Sequence, residues 1–160
     1  MLETMLKVAL CGPGGVGKTS LARRFTGQQF SPSERLTVGV QHFFRELRLG
    51  GEHRFRFLAP TFLGGAKGIV YVFDLTREET FLEIDEWRKV SEGVVGRVPS
   101  VLVGNKADMP RAVARGEAEA YALRVGMLGY FETSALTGAG VEEAFTALLR
   151  AILGLAAQQA

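Results

Sequence analysis

The sequence predicts an α/β domain of three layers: a doubly wound, mostly parallel sheet of six strands with a single antiparallel edge strand. Three observations predict it. Strand-like and helix-like segments alternate along nearly the whole chain, as parallel strands joined by crossover helices require. Residues 68–74, GIVYVFD, are apolar up to the final aspartate without alternation, as in a parallel strand covered on both faces. Gly50-Gly51 separates two strand-like segments, a hairpin signal that supplies the one antiparallel pair.

The elements follow in order. Residues 6–11, LKVALC, form a short apolar run before a glycine-rich turn, hence a buried first strand. A helix runs from Lys18 to about Phe25. Residues 41–49 and 52–58 are the hairpin strands. After the strand at 68–74, Thr76-Arg77-Glu78-Glu79 fits a capping box. The helix it opens sets Phe81, Ile84 and Trp87 on one side. Residues 100–104 are another buried strand. Arg115–Val125 is a helix with Gly126 as its stop. Residues 128–132 are the sixth strand. Residues 141–153 close the chain as a helix with Val141, Phe145, Leu148 and Ile152 on one face. No linker, repeat or low-complexity segment divides the sequence, so residues 1–160 are expected to form one domain.

Composition narrows the function. Of 160 residues, 47% are apolar and 22% charged, an ordinary globular balance. Nineteen basic against 17 acidic residues give a net charge of +2, too even to favour nucleic acid or an anionic membrane. The single Cys11 cannot form an internal disulfide, which favours a reducing, cytoplasmic setting. The start is too short and polar for a signal peptide. The longest apolar run, residues 69–73, is far below a membrane span. The end lacks a cysteine to prenylate and a polybasic tail, so no membrane anchor is expected in this chain.

Gly12-Pro13-Gly14-Gly15-Val16-Gly17-Lys18-Thr19 matches G-x-x-x-x-G-K-[ST] between a strand and a helix. Glycines let backbone N–H groups curl around phosphate oxygens, and the helix N-terminus behind them is electropositive. Gly14, Gly15, Val16, Gly17, Lys18, Thr19 and Ser20 are the candidate phosphate-binding residues. Lys18 would reach the β- and γ-phosphates, and the Thr19 hydroxyl would ligate magnesium. The motif specifies a nucleoside triphosphate but no base. A chance glycine-rich turn is the bland alternative, and the complete spacing in this context weighs against it.

Asn105-Lys106-Ala107-Asp108 follows the fifth strand. A carboxylate at Asp108 can accept from N1–H and the 2-amino group of guanine, a pair adenine lacks. Glu132-Thr133-Ser134-Ala135-Leu136 follows the sixth strand, where a backbone N–H could meet the guanine O6. Alone, Asn-Lys-x-Asp is only a polar turn; after a phosphate loop, at this place, guanine recognition is favoured.

In these motifs the chain resembles the Ras-like small GTPases, and among them most the Rab branch. The resemblance covers nearly the whole sequence. GPGGVGKTSLARRF looks like the family's first motif and helix, and FSPSERLTVGV like its first switch. GAKGIVYVFDLT, VLVGNKAD and YFETSALTGAGVEEAF are close to typical Rab phrasing. The spacings agree: 19 positions from Lys18 to Thr37 and 29 from Asn105 to Ser134. The resemblance implies a P-loop small G domain that binds GTP and GDP with Mg2+ and hydrolyses GTP slowly. It implies that Lys18 and Thr37 are the catalytic candidates, and that Thr19 and Thr37 hold the metal. It implies a guanine pocket of Phe30, Asn105, Lys106, Asp108, Ser134, Ala135 and Leu136. Partners would be effectors, exchange factors or GTPase-activating proteins meeting the first switch.

One departure stands out. Thr37 to Asn105 is 68 positions; the family has about a dozen more there, carrying Asp-x-x-Gly-Gln. That aspartate supports the magnesium shell, the glycine N–H senses the γ-phosphate, and the glutamine orients the attacking water. No residue here matches them. Gly64-Gly65 aligns with a later family segment, and Asp74 with an aspartate away from the phosphates. RFRFLAPTFLGGA also looks like the segment just after the family's glutamine, an alignment that would remove the third strand and leave unpaired ladder groups in the core. Two readings stay open. Residues 54–58 serve as the third strand and the second switch is truncated, leaving a hydrolysis-deficient guanine-nucleotide-binding module. Or the sequence as given leaves out a switch segment of the natural chain, which the regularity elsewhere favours.

Other residues invite blander readings. Arg35, two positions before Thr37, is a candidate charge stabiliser but reads better as a solvated loop arginine. Cys11 is core filler. His42 and His53 lack metal-ligand partners at useful spacing. Pro13 removes one loop N–H. Trp87 is core or partner surface. An ATP-dependent small-molecule kinase would keep the phosphate loop but lack Asn-Lys-x-Asp and carry an arginine-rich lid, and no such lid is found.

Overall fold

The structure, a computed structural model, describes residues 7–29 and 63–159. The sequence readings on the hairpin at 41–49 and 52–58, the third strand at 54–58, and Phe30, Arg35, Thr37, His42 and His53 lie outside the described residues.

Four strands build the described sheet: β1 (Val8–Cys11), β2 (Gly68–Asp74), β3 (Ser100–Asn105) and β4 (Tyr130–Glu132), in the spatial order β1-β2-β3-β4. Every pair is parallel, with Cys11 opposite Tyr71, Asp74 opposite Asn105, and Gly104 opposite Glu132. The helices are α1 (Lys18–Gln29), α2 (Glu78–Leu82), α3 (Ile84–Val95), α4 (Arg115–Val125) and α5 (Val141–Gln159). The α/β architecture with a parallel sheet is the one the sequence predicted.

The apolar runs explain the layering. Side chains alternate across a strand, so β2 feeds both faces with seven buried residues. Gly68 lies against Ile152 and Leu148 of α5. Phe73 points to the other face and packs on Phe81 of α2, which meets Tyr121 of α4 edge-on. The stripe Val141, Phe145, Leu148 and Ile152 is buried along α5 as its spacing predicted. Phe25 of α1 stacks on Phe145 with ring centroids 4.5 Å apart. Each such side chain contributes roughly 1.5–3 kcal/mol by leaving water.

Boundaries show where local signals were overruled. Helix α4 ends as predicted: Gly126 adopts φ 83, and its N–H returns to the Ala122 and Leu123 carbonyls. A side chain there would be strained, which is why glycine marks the stop. The capping box at Thr76–Glu79 does not form. The helix starts one residue later, with Arg77 at the N-cap and no side-chain cap. Thr76 instead gives its hydroxyl and its N–H to the Asp74 carboxylate, at 2.6 and 2.8 Å. The buried carboxylate draws the Thr76 hydroxyl to itself as a donor, and the helix's first N–H groups receive no side-chain acceptor. The single helix expected after it is two, broken at Glu83. The last strand is shorter than predicted, although Leu128 N–H and Gly129 O still bond to Ser100 and Leu102 of β3.

Candidate nucleotide-binding site

Cys11, Asp74, Asn105 and Glu132 are the last residues of β1, β2, β3 and β4. The loops after them therefore gather at the carboxyl edge of the sheet, where open α/β sheets bind ligands.

The first loop carries Gly12–Lys18 into α1. Lys18 is buried, and its ammonium donates to the Gly12 carbonyl and to the Pro13 carbonyl, the latter at 2.7 Å. The lysine thus ties the two ends of its own loop together, with its charge held at the loop's mouth. Its Nζ also lies 5.3 Å from the centre of the Trp87 ring, a favourable cation–π distance. Trp87, half-buried on α3, is therefore packed against both the core and the loop lysine. Gly17 has φ 100, and a methyl group on it would overlap the Asn105 amide; glycine is required for the close approach. Thr19 and Ser20 are the next residues of α1.

Asn105 is the hub that joins three of these loops. It is buried, and its Nδ2 donates to the Val16 carbonyl at 2.9 Å, joining the third strand's loop to the first. Its Oδ1 accepts from the Thr133 hydroxyl at 3.0 Å and from the Ala135 N–H at 3.3 Å, joining the fourth strand's loop too. Ser134 donates its hydroxyl to Asp108 at 2.7 Å, fixing one carboxylate oxygen of an otherwise exposed side chain. The Ser134 oxygen in turn accepts the Thr137 N–H at 3.1 Å. Leu136 is exposed beside them. Of the predicted guanine-pocket residues, Asn105 and Ala135, and Asp108 and Ser134, are joined by these bonds, the Lys106 ammonium turns to Asp74, and Phe30 lies outside the described residues, as does Thr37.

Glu132 anchors the fourth loop. Arg111 grips both its oxygens, at 2.7 and 2.8 Å, and the Tyr130 hydroxyl donates at 2.7 Å. The Arg111 hydrogen bonds, over the opposing effect of burial, hold this carboxyl below its usual range.

Asp74, which sequence reasoning set aside, lies beside the phosphate loop, and Arg77, read only as part of a capping box, links the two. Asp74 is not remote from the phosphate loop: its carboxylate is fully buried, and Arg77, bound to it at 3.0 Å, reaches the Gly14 carbonyl at 3.1 Å. Lys106 pairs with the same carboxylate oxygen, Oδ2, at 2.8 Å, while Thr76 holds Oδ1. Burial opposes the charge, but the bonds from Lys106, Thr76 and Arg77 outweigh it and hold the carboxyl at about 2. Lys106 carries φ 68, the one positive value outside glycine among the described residues, at a cost of roughly 1–2 kcal/mol. The signal was legible in retrospect: an aspartate closing a fully buried strand needs partners.

This geometry defines a P-loop nucleotide-binding domain, with a second loop system fixed to the phosphate loop through one asparagine. Comparison with known proteins narrows the class. The Ras family model matches residues 7–154. Human Ras-related protein Rab-25 is 36% identical over 170 aligned residues, covering 97% of this chain and 79% of the relative. Ras-related protein RABA1g of Arabidopsis thaliana is 35% identical over 173, covering 99% and 79%. The chain belongs to the Ras family, on its Rab branch. The 170 aligned positions exceed the chain's 160 residues, so these relatives carry residues with no counterpart here.

Proposed function

We propose that this chain is a guanine-nucleotide-dependent molecular switch that binds GTP and GDP with Mg2+ and slowly hydrolyses GTP to GDP and phosphate. The observation that carries the reading is the Asn105–Val16 hydrogen bond. It makes the phosphate loop and the guanine-selective loop one unit, so a single ligand with both a triphosphate and a guanine fits them together. The N–H groups of Gly14, Gly15, Val16, Gly17, Lys18, Thr19 and Ser20 and the Lys18 ammonium take the phosphates. Asp108, braced by Ser134, accepts from the guanine N1–H and 2-amino group. Asn105, Lys106, Ala135, Leu136 and Phe30 complete the pocket.

The donors fit magnesium. Mg2+ takes oxygen ligands and usually keeps several waters alongside substrate phosphates. Thr19, at the start of α1, offers a hydroxyl, and Thr37 would offer a second. Among the described residues no cluster of His, Cys, Asp or Glu competes as a closed cage. When bound, the ion neutralises charge developing on the β- and γ-phosphate oxygens. Lys18 supplies a fixed positive charge beside those oxygens, and Thr37 a γ-phosphate-dependent contact. Effectors, exchange factors and GTPase-activating proteins would read the first switch around Thr37. We place the protein in the cytoplasm, as one domain of residues 1–160. Among the described residues no helix is long and apolar enough to cross a membrane.

A second reading is favoured by one observation: no Asp-x-x-Gly occurs between Thr37 and Asn105. It is a guanine-nucleotide-binding module that neither hydrolyses nor switches. Two measurements decide. Competition binding should favour GDP over ADP by a factor on the order of 10⁴; equal binding overturns both readings. Single-turnover assay of γ-labelled GTP then separates them: phosphate release that stops in Lys18→Ala supports the switch, and none supports the module.

A further inference from the structure

Asp74 has no exposed surface, and four donors surround its carboxylate: the Thr76 N–H and hydroxyl on Oδ1, Arg77 Nε and Lys106 Nζ on Oδ2. The Arg77 side chain is 40% exposed and lies along the outside of the phosphate loop. Its Nη2 donates to the Gly14 carbonyl at 3.1 Å and would lie 3.3 Å from a side-chain carbon placed on Gly15. One guanidinium therefore spans two successive loop residues.

That placement has an electronic consequence. In a phosphate-binding nest the N–H groups face the anion, so the carbonyls face away. A cation on the Gly14 carbonyl draws electron density through the Gly14–Gly15 peptide. The Gly15 N–H becomes a stronger donor toward the phosphates. We propose that Arg77 and Asp74 are positioning residues of the nucleotide site: Arg77 fixes and polarises the Gly14–Gly15 peptide, while Asp74 holds Arg77 and Lys106 so that phosphate loop and guanine loop are set together. The inference rests on the guanine-nucleotide reading above and adds to it a pair of residues that touch no ligand.

The test uses the whole chain loaded with GDP, comparing wild type, Arg77→Gln and Arg77→Lys. Arg77→Gln should speed GDP dissociation about tenfold. It should also move the Gly15 amide proton upfield and displace the β-phosphate resonance of bound GDP, with partial recovery in Arg77→Lys. These resonances report the peptide's polarisation, which a merely structural arginine would leave alone. Dissociation within about twofold of wild type, with both resonances unmoved, overturns the proposal. Faster dissociation with unmoved resonances and a lower melting temperature of the nucleotide-free variant assigns Arg77 to loop stability and also overturns it. Wild type that retains GDP beside an indistinguishable Arg77→Gln defeats this inference alone. Wild type that retains no guanine nucleotide defeats the functional reading and this one with it.

Discussion

The side-chain amide of Asn105 donates to the carbonyl of Val16 at 2.9 Å, across 89 positions of chain. The same side chain accepts from Thr133 and Ala135 on its other atom. Three loops of the sheet edge thus depend on one buried amide. Asn105→Ala leaves the Val16 carbonyl and the Thr133 hydroxyl without that partner, a loss of about 1–3 kcal/mol in a buried setting. The expected outcome is a lower urea midpoint together with faster GDP release. An unchanged midpoint would mean that water replaces the amide at no cost.

Asp74 gives the fold a specific acid sensitivity. Its carboxyl sits at about 2 against an ordinary 3.8, so the folded state favours the charged form. The associated stability is fully present above pH 4 and is lost as the pH falls through 2. Its size is about 2 kcal/mol. Other carboxylates titrate in the same window, Asp85 among them. The measurement is therefore a difference: wild type should lose about 2 kcal/mol more than Asp74→Asn between pH 4 and 2. Parallel losses would remove Asp74 from the account.

Phe145 carries the contact between α1 and α5. It is 1% exposed and stacks on Phe25 with planes 13° apart. Phe145→Ala should cost about 3–5 kcal/mol, read by denaturant titration. Because Phe25 belongs to the helix that begins at Lys18, nucleotide affinity should fall with it.

Trp87 is the only tryptophan in the chain, and Lys18 Nζ lies 5.3 Å from its ring. Phosphates drawing on the Lys18 charge change the field at the indole. GDP addition should therefore shift or quench tryptophan emission with a saturable dose dependence that ATP does not reproduce. A flat titration, in protein shown by other means to bind GDP, would separate Trp87 from the site.

The junction at 49–67 is decided by peptide mapping. Trypsin should release LGGEHR, then FR, then FLAPTFLGGAK as contiguous peptides. Their recovery would fix the absence of an Asp-x-x-Gly segment and predict little hydrolysis. Extra peptides carrying that motif would restore the ordinary family mechanism.

Much of this was legible locally. Continuous apolar runs mark strands covered on both faces, so β2 and β3 came within a residue of their bounds. Arg115–Val125 and its glycine stop were readable because φ 83 at Gly126 is a backbone demand that one residue type meets. The phosphate loop and Asn-Lys-x-Asp were readable because their chemistry needs fixed residue types at fixed short spacing.

Tertiary structure alone decided the rest. Thr76 looked like a helix cap; the buried strand before Asp74 signals that this carboxylate needs partners, but only the fold shows that the Thr76 hydroxyl is one of them. Asp74 looked remote because it matches a family aspartate away from the phosphates, and its contacts with Lys106 and, through Arg77, with Gly14 join positions far apart along the chain. The sequence by itself determined which elements form and which ligand chemistry their loops carry, since both follow from local periodicity and residue type. The folded sheet decided which charges are buried, and therefore which must find one another, because desolvation is set by what packs overhead and not by neighbours in sequence.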